Sequence, residues 1–108
     1  MSRQKKKIKP CDEFRTNNRD SRRHPVYIFA QEGNDFIYFT ITHASSFKNV
    51  LNVKFITNPN SSDERDTYFV PIAKRLHRNN FGRVKENWVL SDIDYENMME
   101  YYEIPKTK

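Results

Sequence analysis

Apolar residues in this chain fall in short, dense runs separated by polar stretches, and the runs define the expected elements. Residues 25–31 open on a proline and continue with Val26, Tyr27, Ile28 and Phe29, the β-branched and aromatic types that strands favour. Glu32, Gly33, Asn34 and Asp35 then supply a turn, because Gly and Asn tolerate positive φ. Residues 36–42 return as an almost unbroken series of β formers, which predicts a strand covered on both faces for much of its length. The two strands form a hairpin.

Beyond the hairpin the pattern weakens. A polar connection over 44–49 leads to a third expected strand over 50–57, in which Val53, Phe55 and Thr57 alternate with Asn52, Lys54 and Ile56. Residues 58–63 read as a loop, and residues 67–72 as a short fourth strand confined to an edge or end by Pro71. From 73 to 87 apolar residues thin out, and 79–82 reads as a turn. Ser91 then caps a helix of about three turns over roughly 92–102, with Asp92 and Asp94 at the positive end of its dipole and Pro105 beyond its end. Ile93, Met98 or Met99, and Tyr102 form its expected inward stripe. The fold class expected is mainly β with a C-terminal helix, a small barrel-like domain spanning 21–104 behind a flexible basic arm over 1–20.

Composition sharpens the picture. With 108 residues, 36% apolar and 14% aromatic, the chain has the material for one modest core. No run approaches the roughly 20 apolar residues of a membrane span, and residues 1–10 lack the apolar centre of a secretory signal. A cytoplasmic protein without membrane contact is the expectation. The net charge of +5 conceals segregation: residues 1–25 carry nine basic and three acidic side chains, 73–85 five basic and none acidic, and 91–103 none basic and five acidic. Such basic segments suit a phosphate-bearing partner, and the run Lys5, Lys6 and Lys7 suits non-specific backbone contact.

The chemistry available is narrow. The single cysteine, Cys11, and three dispersed histidines do not make a zinc site, and Gly33 and Gly82, the only glycines, do not make a phosphate-cradling loop. No cofactor or metal is expected. Metal-independent cleavage of RNA remains, in which the ribose 2′-hydroxyl is the nucleophile and the protein holds phosphate, stabilises its charge and moves protons. Arginine suits phosphate through its planar fork, and histidine suits proton transfer near neutrality. The hairpin ends bring together Arg22, Arg23, His24, Thr42 and His43. Arg22 and the loop residues Lys74, Arg75, Arg78, Arg83 and Lys85 are candidate RNA-binding residues, with Phe81 and Trp88 as base-stacking platforms, although the large indole of Trp88 suits the core better.

Arg23, His24, Pro25 and Val26 ahead of one strand, and Thr40, Ile41 and Thr42 closing the next, resemble the Arg-Pro-Val and Ile-Thr segments of the MazF/PemK-like toxin endoribonucleases. The resemblance implies an SH3-like β-barrel with a terminal helix, a homodimer, an antitoxin protein partner, and cleavage of single-stranded RNA by an arginine and a threonine. By position these are Arg23 and Thr42, nineteen residues apart. His24 stands between the arginine and the proline, so Arg22, Arg23 and His24 are all candidates for the arginine's place. The rival readings are a non-catalytic nucleic-acid-binding regulatory module and a protein-interaction domain that docks through the acidic helix or the basic loop.

Overall fold

The computed structural model describes residues 8–103; the Lys5–Lys7 run and Pro105 lie outside them. At its centre is the expected hairpin of β2 (Pro25–Glu32) and β3 (Asp35–Thr42), antiparallel, with Glu32 opposite Asp35 across a two-residue turn. Gly33 takes φ 63° there, which a side chain would resist. A bulge between Ile28 and Ala30 shifts the register. It also changes faces, because a one-residue slip inverts a strand's pattern beyond it. Val26, Ile28, Phe36 and Tyr38 share one cluster, whereas Tyr27, Phe29, Ala30, Ile37, Phe39 and Ile41 share the other. Both faces are covered, as the unbroken run of β formers predicts.

The flexible arm expected over 1–20 does not hold where the chain is described. Residues Ile8–Thr16 form β1, antiparallel to β2 with a bulge between Pro10 and Glu13. Only Phe14 is fully buried, at 2% exposure. Main-chain bonds on both edges hold the strand: β2 pairs on one side, and on the other the Gly82 and Lys85 amides donate to the Thr16 and Phe14 carbonyls at 2.9 and 2.6 Å. A strand fixed in this way needs little hydrophobic periodicity, so its sequence reads as a polar arm.

The remaining strands are short. β4 (Ser46–Phe47) and β5 (Val50–Leu51) form a separate hairpin, with Lys48 and Asn49 at positive φ in its turn. Of the strand expected over 50–57, β5 turns back on β4 and β6 (Val53–Lys54) pairs with β7 (Tyr68–Phe69), the paired part of the strand expected over 67–72. β8 (Lys74–His77) lies where a loop was expected, and it pairs with Asp35, Phe36, Ile37 and Tyr38 of β3. Among the described residues the sheet runs β1-β2-β3-β7-β6, with β8 also on β3, and does not close into the expected barrel. After β8 a 3-10 turn, Arg78–Asn80, carries Phe81 to a bridge with Asn17.

The helix α1 (Asp92–Glu103) is capped by Ser91, whose Oγ accepts the Asp94 amide at 3.2 Å and donates to the Asp94 carboxylate at 2.8 Å. That carboxylate, 1% exposed, also accepts the Ile56 and Thr57 amides at 2.8 and 3.0 Å. The bonds turn position 94 towards the sheet. Met98 is buried and Tyr101 and Tyr102 are packed on the same core, while Ile93, expected to face inward, is 57% exposed. Tyr102 meets Phe29 and Tyr101 meets Phe69, with ring centroids 4.8 and 5.8 Å apart. No helix of the described residues is long and apolar enough to cross a membrane.

Candidate functional site

A cleft of about 230 Å3 opens where β2 begins and β3 ends. His24 and Pro25 line it from the start of β2, and Ile41, Thr42 and His43 from the end of β3. The loop between β6 and β7 forms a second wall through Asn58, Asn60, Asp63, Arg65 and Thr67, and Lys85 and Trp88 form a third.

His24 is placed by a tight turn. The Asp20 amide donates to the Asn17 carbonyl at 3.2 Å and the Arg23 amide to the Asp20 carbonyl at 2.9 Å. The Asp20 carboxylate accepts the Arg22 and His24 amides at 2.9 and 3.2 Å, and also bonds His24 Nδ1. Burial opposes its ionisation, but these bonds together hold the Asp20 carboxyl below its ordinary value. A proton fixed on Nδ1 leaves Nε2 of His24 as the nitrogen for a ligand. The same turn puts Arg23 at φ 53°, and both Arg22 and Arg23 are exposed and absent from the cleft lining. Of the three candidates at this position, His24 alone enters the cleft.

His43 is held from the opposite wall. Its Nε2 lies 2.8 Å from Asp63 Oδ2, which leaves Nδ1 available. Arg65 grips the same carboxylate through Nε, Nη2 and its amide, each at 3.0 Å. The Arg65 side chain, its amide and then His43 hold the Asp63 carboxyl far below the usual range, and Asp63 in turn raises the Arg65 guanidinium. Asn58 organises this wall, its amide nitrogen donating to the Asp63 and Arg65 carbonyls and to Thr67 Oγ1 at 2.8, 3.2 and 2.9 Å. Two imidazoles, each backed by a carboxylate, therefore face one space with Thr42. Thr42 Oγ1 accepts the Ala44 amide at 3.1 Å, so its hydrogen remains for a ligand oxygen.

The expected RNA-binding loop divides. Lys85 lines the cleft, with Nζ 5.0 Å from the centre of the Trp88 ring. Lys74 and Arg75 are on β8, paired near the hairpin turn, and Arg75 bridges Glu32 and, at 3.7 Å, Asp35. Arg78 lines a separate cleft of about 420 Å3 with Arg15, Glu13 and Cys11. Arg83 is exposed and lines neither cleft. Phe81 is not a free stacking surface: it is 8% exposed, with the Phe36 and Tyr38 rings 5.4 and 5.2 Å away. Register explains the division, because pairing with the first half of β3 carries β8 away from Thr42, at about 3.3 Å per residue.

Sequence reasoning missed Asp20, Asp63 and Arg65. The hint was Asp20 four residues before His24; nothing local marks Asp63 as the partner of His43, twenty residues away. Among the described residues no group of three or more His, Cys, Asp or Glu could hold a metal ion. No protein-family model, curated protein or solved structure matches this chain.

Proposed function

We propose that the protein binds single-stranded RNA in this cleft and cleaves it by 2′-hydroxyl attack, with no metal in the reaction. The observation that carries the reading is the pair of carboxylate-backed imidazoles, His24 and His43, lining one cleft with Thr42. One imidazole takes the 2′-hydroxyl proton as O2′ bonds to phosphorus, and the other donates a proton to O5′ as the P–O5′ bond breaks. The products are a 2′,3′-cyclic phosphate and a 5′-hydroxyl. Lys85 and the Thr42 hydroxyl supply donors for the phosphoryl oxygens, whose charge grows in the transition state. Arg65 instead secures Asp63.

The resemblance to the MazF/PemK-like toxins points to the same substrate and products, with Thr42 and not Arg23 carried into the site. A homodimer and an antitoxin partner accompany that resemblance as parts of the same proposal, while the open sheet of the described residues departs from the SH3-like barrel the resemblance implies. The test is incubation with single-stranded RNA in EDTA. Discrete fragments ending in cyclic phosphate are expected, and their loss in His24→Ala and His43→Ala. RNA that is bound but stays intact would make the protein a non-catalytic binding module.

A second reading, a protein-interaction domain, is favoured by the β4–β5 hairpin, which leaves Phe47 and Leu51 65% and 76% exposed. RNA binding that is absent or indifferent to salt would select it, because phosphate contacts weaken as salt rises.

A further inference from the structure

Phosphodiester chemistry does not account for Trp88, the single tryptophan of the chain. Read from the sequence as core or as a stacking platform, it packs against the core cluster while partly buried, and it also lines the cleft. Its ring packs on Phe14, with centroids 5.5 Å apart and planes inclined at 52°. Main-chain bonds fix it from two directions. The Trp88 amide donates to the Lys85 carbonyl at 3.2 Å, the Lys85 amide to the Phe14 carbonyl at 2.6 Å, and the Val89 amide to the Pro59 carbonyl at 3.0 Å. An aromatic ring anchored to both β1 and the loop between β6 and β7 is a rigid platform.

The group over that ring is a lysine on a long, flexible stem. The Lys85 ammonium covers the indole at 5.0 Å, an attraction of the cation–π kind that a flexible side chain gives up readily. Asn60 also lines the cleft; its Oδ1 accepts the Ser62 amide at 3.2 Å, which leaves its amide hydrogens for a base edge. We infer that Trp88, Lys85 and Asn60 form a nucleobase subsite beside the phosphate position. Lys85 swings from the ring onto the phosphate, a base stacks on the indole face that it uncovers, and Asn60 donates to an acceptor on that base. This inference rests on the reading that the cleft takes RNA.

Because Trp88 is the chain's single tryptophan, its fluorescence reports on the subsite directly. The full chain is titrated with a nucleoside 3′-monophosphate, a non-cleavable 2′-deoxy oligonucleotide, ribose 5-phosphate and inorganic phosphate. The first two are expected to quench Trp88 saturably, and the two base-free ligands to leave it nearly unchanged. Trp88→Phe keeps a smaller ring for folding and should bind the deoxy oligonucleotide roughly 10-fold more weakly by anisotropy. Lys85→Met should retain stacking but lower the salt slope of binding by about one. Equal affinity for nucleotide and ribose phosphate, or an oligonucleotide that binds by anisotropy without moving Trp88 emission, would overturn the subsite. RNA cleaved without quenching sinks the subsite alone; quenching with intact RNA sinks cleavage and leaves the subsite standing.

Discussion

Asp20 holds His24 at two points: its carboxylate accepts the His24 main-chain amide, at 3.2 Å, and bonds the imidazole Nδ1. The carboxylate fixes where the ring begins and which nitrogen faces a substrate. Removing the imidazole in His24→Ala should lower cleavage roughly 100-fold or more, the usual contribution of a positioned acid or base. Asp20→Asn should lower it by a smaller factor, about 10-fold, while affinity for an uncleavable oligonucleotide stays within about twofold, since the loss lies in the transition state. Wild-type cleavage by His24→Ala would remove His24 from the mechanism.

Arg23 and Thr42 should part company. Thr42 lines the cleft and Arg23 does not. Thr42→Ala is therefore expected to reduce cleavage by about 10-fold or more, and Arg23→Ala to change it by less than about twofold. At φ 53° an arginine also carries left-handed strain, so Arg23→Gly should stabilise the fold by about 0.5 kcal/mol after the entropy that glycine adds to the unfolded chain. Urea denaturation measures the second effect; cleavage lost in Arg23→Ala would extend the site to the turn.

Acid should loosen both walls of the cleft. The Asp20 and Asp63 carboxyls lie below their ordinary value of 3.8, so between the folded and unfolded values the unfolded chain binds more protons. Their contribution to stability is complete above the unfolded value and is lost as pH falls through the folded one. Urea midpoints measured from pH 6 down to about 2.5 should show the fall, and Asp63→Asn should flatten it. A midpoint as acid-sensitive in Asp63→Asn as in the wild type would contradict the pairing with Arg65 and His43.

The hairpin and the helix cap were legible because each is written locally: β2 and β3 in consecutive β-branched and aromatic residues, the cap in Ser91 ahead of acidic side chains. β1 was not, since it is held by main-chain bonds to β2 and to Gly82 and Lys85 that any polar sequence can make. Charge misled at β8, where Arg75 is drawn into pairs with Glu32 and Asp35 at the hairpin turn. In the site, His24, Thr42 and His43 were visible as hairpin ends. Their carboxylate partners depended on how two turns fold back, a relation with no periodicity to read.

Asp94 shows how far one buried carboxylate can set an element's rotation. It joins the first turn of α1 to the Ile56 and Thr57 amides and the Ser91 hydroxyl. Asp94→Ala removes these acceptors at once and should cost about 3 kcal/mol, the scale for unpaired buried donors. Ser91→Ala, which removes the cap but leaves the two amide bonds, should cost about 1 kcal/mol. The comparison is made by chemical denaturation, and equal losses in the two variants would refute the clamp.

At the other end of the pH scale Tyr27 sets the limit. Its side chain is buried and its hydroxyl donates to Asp12 at 2.8 Å; burial first, then that bond and the Asp12 charge, push the phenol well above its ordinary value of 10.0. Burial raises Tyr38 in the same direction. A raised acid of this kind favours the folded state in full below the unfolded value, and the advantage is lost as pH rises through the range above about 10. There the unfolded chain releases a proton that the folded chain keeps. Tyr27→Phe has no such proton, so its stability above pH 10 should decline less steeply than the wild type's, by about 1.4 kcal/mol per pH unit. At neutral pH the same variant should lose about 1 kcal/mol with the hydrogen bond. Urea denaturation at pH 7, 10 and 11.5 separates the two effects; parallel alkaline slopes would show that Tyr27 ionises in the folded protein as freely as in the unfolded chain.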